Sequence, residues 1–299
     1  MIAIKNLTKH FGTFPALDQI SFEIGSGSVF GLVGSNGAGK STLLRTISGI
    51  YCPDGGSIEV DGAEPFENSQ VKGRMAFISD YPYFIPQSNL EEMAELYALA
   101  YPRWDKKRFD ELCSIFPISR KDRIINMSKG MQRQAALITA LSSRPDYLLL
   151  DEIFDGLDPV MRQLLKRILS SEVSDRGMTV VIASHNLREL EDLCDHVGLL
   201  HKGGIIFERE LDELKLGIHK VQAILKPMPT QEELSGLNII SQEIRGSLIE
   251  LVARGSKEGI LLKLEQFHPI FSEVLPLTLE EVFISEMEVA GYDIDNILK

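Results

Sequence analysis

Residues 34–42 of the chain read Gly34-Ser35-Asn36-Gly37-Ala38-Gly39-Lys40-Ser41-Thr42 and match the pattern G-x-x-x-x-G-K-[ST]. A short apolar run at residues 29–33 precedes this segment, and residues 42–47 follow it with helical spacing. A strand, a glycine loop and a helix start together place backbone N–H groups at the positive end of a helix dipole, which suits a polyphosphate. A chance glycine turn that holds a lysine explains neither flanking element, so we predict a phosphate-binding loop.

The residue types in this loop indicate how it would bind a nucleotide. Its glycines let the backbone approach the phosphates without a side-chain clash. We expect Lys40 to reach the β- and γ-phosphates and the Ser41 hydroxyl to ligate Mg²⁺. The predicted nucleotide-binding residues of the loop are Ser35, Asn36, Gly37, Ala38, Gly39, Lys40, Ser41 and Thr42.

A second segment, Tyr147-Leu148-Leu149-Leu150-Asp151-Glu152, is an apolar run that ends in two acids. In a parallel sheet, the carboxyl ends of the strands lie beside the phosphate loop, where ligands collect. We predict that Asp151 holds Mg²⁺ and that Glu152 accepts a proton from the attacking water. Buried strands often end in an acid, so this segment indicates a nucleotide site only in combination with the loop.

The rest of the chain predicts an α/β protein with two domains. Near-continuous apolar runs at 147–150 and 179–183 are typical of parallel strands buried on both faces, and alternation in residues 2–30 indicates an antiparallel β subdomain. Helical spacing predicts a helical subdomain at about residues 89–145. We therefore expect a nucleotide-binding core at 1–215 and a small α+β accessory domain at 216–299.

Composition narrows the class of protein. The net charge of −12 argues against nucleic acid as the main partner, because phosphate neutralisation needs a basic face. The three cysteines have no paired spacing, which is typical of reduced thiols in the cytoplasm. No signal peptide is predicted, and no window reaches the roughly 18 apolar residues that a membrane span needs. We expect the protein to meet a membrane only through a partner.

Four further segments complete a family pattern in the expected order: Phe11, Asn126-Met127-Ser128-Lys129-Gly130-Met131-Gln132-Arg133-Gln134, Asp155-Gly156-Leu157-Asp158-Pro159 and Ser184-His185-Asn186. With them, residues 1–215 resemble the ATP-binding subunit of an ATP-binding-cassette (ABC) transporter, a P-loop NTPase. Ser128-x-Gly130 resembles the signature motif of that family, and His185 resembles its switch histidine. The Ser-Lys-Gly-Met form and the small C-terminal unit look most like bacterial exporter-type members.

The resemblance implies a set of roles and partners. Lys40, Glu152 and His185 would be catalytic; Phe11, or Phe14 in its place, would stack on adenine; Ser128, Gly130 and Asp158 would contact ATP. The family implies a head-to-tail dimer, identical or not, with two ATP molecules between its subunits. It also implies an integral membrane permease, which would hold this chain at the inner face of the cell membrane.

Two departures from the family pattern leave alternatives open. Asp80 stands where the family usually has a glutamine; it would ligate Mg²⁺, unless it is an ordinary loop residue and Gln87 takes that place. Lys129 replaces a glycine of the signature motif. Both changes allow a regulatory, nucleotide-gated module with weak turnover. A cassette ATPase without a transport role is a further alternative, whereas a small-molecule kinase would leave Ser128–Arg133 unexplained.

Overall fold

The computed structural model describes residues 1–215, 217–230 and 233–289. The chain divides into two compact units between Glu208 and Arg209. The division falls before a helix at Leu211–Lys215 that the sequence pattern assigns to the first domain. Residues 216, 231–232 and 290–299 of the predicted accessory domain lie outside the described part of the chain.

Two sheets and the helices around them build the first unit, and the last strand runs across the division. The strands are β1 (Ile2–Phe11), β2 (Phe14–Ile24), β3 (Val29–Val33), β4 (Gly55–Val60), β5 (Met75–Ile78), β6 (Tyr147–Asp151), β7 (Thr179–Ser184), β8 (His196–His201) and β9 (Gly204–Glu210). The helices are α1 (Lys40–Ile47), α2 (Ser69–Lys72), α3 (Leu90–Ala100), α4 (Lys106–Ile115), α5 (Lys129–Ser142), α6 (Pro159–Arg176) and α7 (Leu187–Leu190). None of the described helices combines the length and apolar character needed to cross a bilayer.

The three-stranded sheet has the order β2-β1-β4 and is antiparallel, as the alternation in residues 2–30 predicts. Strands β1 and β2 form a hairpin that pairs Ile2 with Ile24 and Phe11 with Phe14. The buried members of this alternation belong to the main apolar core of the unit. This sheet holds Phe11 at the tip of the hairpin.

The six-stranded sheet has the order β5-β6-β7-β3-β8-β9, with parallel pairing from β5 to β8. Every residue of β3, β6 and β7 is buried, which explains their near-continuous apolar sequences. The registers pair Ile78 with Leu150, Asp151 with Ala183, and Val33 with Ser184. The carboxyl ends of β5, β6, β7 and β3 therefore end together at one edge of the sheet.

Strands β8 and β9 have no counterpart in the sequence prediction. They are joined at Lys202 and Gly203, both of which have positive φ angles. The Gly203 N–H donates to the Ala38 carbonyl at 2.9 Å, and the Gly203 carbonyl accepts from the Asp18 N–H at 2.9 Å. These hydrogen bonds attach the turn to Ala38 of the phosphate loop and to Asp18 of β2.

The helices expected between residues 89 and 145 are present, and each begins at a capping side chain. The Asn89 side chain and Glu92 form a capping box at α3, Asp105 caps α4, and Ser128 caps α5. Glu172 of α6 is 3% exposed and lies 2.7 Å from an Arg108 nitrogen of α4. That ion pair attaches the helical region to the central layer.

The second unit is an α+β unit, as its sequence pattern predicts. Its elements are α8 (Leu211–Lys215), β10 (Ile218–Ile224), β11 (Asn238–Arg245), β12 (Leu248–Arg254), α9 (Lys257–Glu265), β13 (Phe271–Leu275) and α10 (Leu279–Val289). The sheet order is β11-β12-β10-β13, and all pairs are antiparallel. Strand β13 was not evident from the sequence, because its residues are largely exposed or half-buried.

Candidate functional site

The phosphate loop needs glycine at two positions for steric reasons. A Cβ on Gly34 would lie 2.3 Å from the Leu200 carbonyl oxygen, and one on Gly39 would lie 2.5 Å from the Ala16 carbonyl oxygen. Gly39 also has a φ of 110°. It starts α1 without a capping side chain or an acidic first turn among the described residues. The N–H groups at this helix start are thus suited to an anionic ligand.

The loop residues predicted to bind nucleotide lie around this helix start. Ser35, Asn36 and Gly37 are exposed, whereas Ala38 is buried and its N–H donates to the Ser35 carbonyl at 3.1 Å. Gly39, Ser41 and Thr42 are half-buried. The loop therefore presents its backbone and small side chains outward over a packed base.

Lys40 lies beneath the loop rather than in solvent. Its side chain is 5% exposed, and Nζ donates to the Gly34 carbonyl at 2.6 Å and to the Ser35 carbonyl at 3.2 Å. Nζ is also 3.5 Å from Oε1 of Glu152. The sequence-predicted lysine and the sequence-predicted base are thus neighbours at the carboxyl edge of the sheet.

Glu152 bridges Lys40 and His185. Its other oxygen, Oε2, is 2.9 Å from Nδ1 of His185. An ionised carboxylate only accepts hydrogen bonds, so the proton of this contact belongs to Nδ1. Glu152 has a φ of 49°, and its N–H donates to the Ala183 carbonyl at 2.9 Å. The left-handed backbone conformation is uncommon for glutamate, and here it turns the Glu152 side chain towards the phosphate loop and His185.

Asp151 is fully buried, and neither of its carboxylate oxygens has a hydrogen-bond partner of ordinary geometry in the described chain. Burial raises the pKa of Asp151, and the Ser41 hydroxyl opposes this shift in part. The nearby charges of Glu152 and Asp80 raise it further. A buried carboxylate without a partner is costly, and a bound cation would relieve that cost.

Asp80 lies at the same edge. Asp80 follows β5 by two residues, and its charge is close enough to Asp151 to raise the pKa of that acid. Asp80 is held by Arg133, whose Nη2 is 2.6 Å from Oδ1 and 3.3 Å from the Asp80 carbonyl oxygen.

Gln87, the alternative to Asp80, has a different partner. Its Oε1 accepts from Arg123 at 2.5 Å. Arg123 precedes the short helical turn before the signature segment, so Gln87 is attached to the helical region. Of the two candidates, Asp80 is the one whose charge raises the pKa of Asp151.

The signature segment packs against the loop that follows β6. Ser128 caps α5 by accepting from the Met131 N–H at 3.3 Å, and a Cβ on Gly130 would lie 2.7 Å from the Gly156 carbonyl oxygen. Asp158 caps α6 through the Val160 N–H at 2.9 Å. Ser128, Gly130 and Asp158 line one cavity of about 440 Å³, and the phosphate loop is not part of the described lining.

Phe11 is an exposed aromatic residue at the hairpin tip. Its side chain is 47% exposed and contacts Tyr51 edge-on, with the ring centroids 5.4 Å apart. Phe14, its partner across the hairpin, is also exposed. Both rings are accessible to a planar ligand, so geometry leaves the choice between them open.

Sequence reasoning missed two residues that hold this site. Arg133, quoted only as part of the signature segment, contacts Asp80. Glu189 is 6% exposed and accepts from the Ser184 hydroxyl at 3.0 Å, and burial raises its pKa. Arg162 lies 3.6 Å from Glu189 and also donates to the Leu157 carbonyl. In the sequence, the feature that could have indicated Glu189 is its position four residues after His185.

Comparisons with known proteins point to one family. A family model described as "ABC transporter" matches residues 17–155, and one described as "AAA domain, putative AbiEii toxin, Type IV TA system" matches residues 123–191. The chain is 29% identical to ABC transporter ATP-binding protein YtrB of Bacillus subtilis (strain 168), over 96% of this chain and 98% of the relative. It is 32% identical to bacitracin transport ATP-binding protein BcrA of Bacillus licheniformis, over 72% of this chain and 71% of the relative.

Solved structures share the fold of the first part of the chain. One, titled "Structure of ATP binding subunit of ABC transporter", has a TM-score of 0.67 and 26% identity, and covers 72% of this chain and 92% of its own. Another, titled "Dimeric Structure of MJ0796, a Bacterial ABC Transporter Cassette", has a TM-score of 0.65 and 23% identity, and covers 71% of this chain and 99% of its own. At that identity the second likeness concerns the fold alone.

Proposed function

Because the chain belongs to the ATP-binding subunits of ABC transporters, an ATPase family, we propose that it dimerises around two ATP molecules and drives a separate membrane permease. The cluster of Lys40, Glu152 and His185 beside the phosphate loop carries this proposal. It combines a cation, a candidate base and an orienting imidazole at the edge where the loop would present a triphosphate.

In this proposal, Lys40 binds the β- and γ-phosphates from its position under the loop. Its present acceptors are two loop carbonyls, and phosphate oxygens would provide stronger, charge-assisted bonds. The N–H groups at the start of α1 contribute further donors. Phe11 would stack on the adenine, with Phe14 as the alternative platform.

Glu152 acts as the general base for the attacking water. When the Lys40 side chain binds the phosphates, it would leave Oε1 of Glu152, and that oxygen could then accept a proton. His185 would still hold Oε2. With one proton on Nδ1, a neutral His185 has Nε2 as an acceptor for the attacking water, and a donor to the γ-phosphate would need a second proton on Nε2. Glu189 and Arg162 would keep the strand end of His185 in place.

Ser41, Asp151 and Asp80 would hold Mg²⁺. The fit rests on Asp151, whose two buried oxygens have no hydrogen-bond partner of ordinary geometry in the described chain and lie near the Ser41 hydroxyl. Oxygen ligands of this kind are those that Mg²⁺ prefers. When bound, Mg²⁺ neutralises charge on the phosphate oxygens. The residues of the chain supply its ligands and its position.

A second subunit completes the site. Ser128, Gly130 and Asp158 line a cavity whose described lining excludes the phosphate loop, so one chain offers two half-sites rather than one whole site. In a head-to-tail dimer, each ATP would lie between the loop of one subunit and the signature segment of the other. The cassette fold of this chain is known in a dimeric relative.

The permease would dock on the loop after β5 and on α3. This region exposes large apolar and aromatic side chains: Tyr81 is 75%, Tyr83 81% and Leu99 88% exposed. Such a patch is typical of a protein interface. The permease would keep the chain at the inner face of the cell membrane. We propose export, since the signature form and the C-terminal unit resemble exporter-type members.

Two measurements test this function. Purified protein should release phosphate from ATP, and a pull-down from detergent-solubilised cells should recover an integral membrane protein. Leu99→Arg should abolish that recovery, whereas Leu262→Arg, an exposed leucine of the second unit, should not. Retention of ATP without phosphate release would contradict the ATPase proposal and favour the nucleotide-gated module. Equal recovery with both arginine variants would contradict the docking surface.

A further inference from the structure

Arg133 occupies an unusual place for a cation. It is 6% exposed, and its Nε has no hydrogen-bond partner in the described chain. Nη2 contacts both the carboxylate and the carbonyl oxygen of Asp80, while Nη1 lies 3.5 Å from where a Cβ of Gly156 would be. The guanidinium therefore lies between the loop after β5 and the loop after β6, and it is buried between segments that both border the nucleotide edge.

The acids near Arg133 repel one another, and the Arg133 charge reduces that repulsion. Asp80 and Glu152 both lie close enough to Asp151 for their charges to raise the pKa of that buried acid. Three carboxylates at one edge repel one another and any triphosphate. Arg133 neutralises Asp80 through Oδ1, and no described residue donates to Oδ2. One oxygen of Asp80 is thus fixed by the arginine, and the other is free to approach a cation.

We propose that Arg133 is a positioning residue that holds Asp80 and neutralises its charge, and thereby allows an aspartate, as the proposed Mg²⁺ ligand, to lie beside Asp151 and Glu152 without repelling the triphosphate. The inference rests on the proposed metal site and adds its charge balance. The buried cation one turn into the signature helix offsets the charge that an aspartate adds at this position. Asp80 and Arg133 then form one functional unit, rather than a surface ion pair and an isolated loop acid.

This charge balance predicts the direction in which each substitution changes ATP affinity without and with Mg²⁺. Arg133→Gln leaves the Asp80 charge uncompensated, which weakens the binding of metal-free ATP more than that of ATP with Mg²⁺. Asp80→Gln leaves the Arg133 charge uncompensated, which strengthens the binding of metal-free ATP and removes a metal ligand. The ratio of the two dissociation constants, without and with Mg²⁺, should therefore rise in the first variant and fall in the second. The double variant should return towards the parent.

The experiment measures binding of a fluorescent, non-hydrolysable ATP analogue in EDTA and in saturating Mg²⁺. We expect the ratio to rise about tenfold in Arg133→Gln and to fall by a similar factor in Asp80→Gln, as is typical for coupling between contacting charges. Arg123→Gln is the matched control. It removes the same charge from the arginine that holds the other end of the loop through Gln87, and it should leave the ratio unchanged.

The outcomes separate the inference from the metal site on which it rests. A parent ratio well above one, with the same ratio in Arg133→Gln and Arg123→Gln, would overturn the role of Arg133 alone. A parent ratio of one would overturn the metal site itself. A merely structural role for the pair predicts lower thermal midpoints in all variants and equal changes in both dissociation constants, which would also overturn the inference. Opposite shifts that cancel in the double variant support it.

Discussion

Strand β6 is preceded by an acid that pairs with two arginines, whereas its last residue, the buried Asp151, forms no ion pair among the described residues. Asp146, just before β6, lies 2.6 Å from nitrogens of both Arg74 and Arg103, and Arg74 also reaches Asp61 at 2.6 Å. Burial alone would raise the pKa of Asp61, but hydrogen bonds from the α-amino group, Tyr147 and Arg74 hold it at about 2. At the other end, burial raises the pKa of Asp151.

This contrast separates what the fold needs from what the site needs. The network around Asp146 compensates each charge and joins three distant parts of the chain, which is the arrangement expected of a structural cluster. Asp151 is buried at a cost that the Ser41 hydroxyl and the charge of Arg45 offset only in part. A buried charge that its neighbours offset only in part, in an otherwise well-packed strand, indicates selection for a ligand rather than for stability.

The largest expected effect comes from the cation at the functional end. Lys40→Ala should weaken ATP binding on the order of 100-fold, because a buried charge-assisted contact to the phosphates is lost. Equilibrium binding of a fluorescent ATP analogue checks this. Lys166→Ala is the control, since Lys166 lies 3.5 Å from Asp192 away from the loop. Equal affinities in the two variants would remove Lys40 from the phosphate site.

Asp151→Asn should stabilise the ligand-free protein by about 1–3 kcal/mol, because it removes an unpartnered buried charge, while abolishing the effect of Mg²⁺ on ATP binding. The raised pKa means that the folded state favours the protonated acid. The penalty is therefore absent at low pH and grows as the pH rises above the ordinary value of 3.8. Urea unfolding should show a gain at pH 7 that shrinks towards pH 4. A destabilised variant would show that Asp151 supports the fold.

Arg74→Gln, at the structural end of β6, should do the reverse. We expect a loss of about 1 kcal/mol in the free energy of unfolding, a modest value because the pairs are partly exposed. ATP affinity should stay within about twofold of the parent, since this substitution does not touch the carboxyl edge. Urea unfolding and ATP binding of the same preparation measure both. A large loss of ATP affinity without a loss of stability would erase the distinction between the two ends.

The smallest effect should come from the adenine platform. Phe11→Ala should lower ATP affinity about two- to tenfold, the range expected for one lost aromatic contact. Phe14→Ala, across the hairpin, should leave the affinity unchanged. Competition between ATP and inorganic triphosphate shows whether the base is involved, because triphosphate binding should not respond to either variant. The opposite ranking would assign the stacking to Phe14.

Local patterns predicted the parts of this molecule that depend on local physics. The glycine loop, the buried strands and Glu152 follow from residue type and spacing, and all are where the sequence places them. The contact of Arg133 with Asp80 joins residues far apart in the chain, and no periodicity marks it. Likewise, the support of the loop by Gly203 depends on its hydrogen bonds with Ala38 and Asp18, which are distant in the chain and which residue spacing does not mark. Pairing across the fold decides such features, so they required the structure.

The central claim, that Glu152 is the base of an ATPase site at the end of β6, has one direct measurement: phosphate release by Glu152→Gln and the parent under identical saturating ATP. The amide keeps the size of the side chain but cannot take a proton from water. We predict a fall of about 10²–10⁴-fold in turnover, with ATP affinity within a few-fold of the parent. Turnover within a few-fold of the parent would contradict the account.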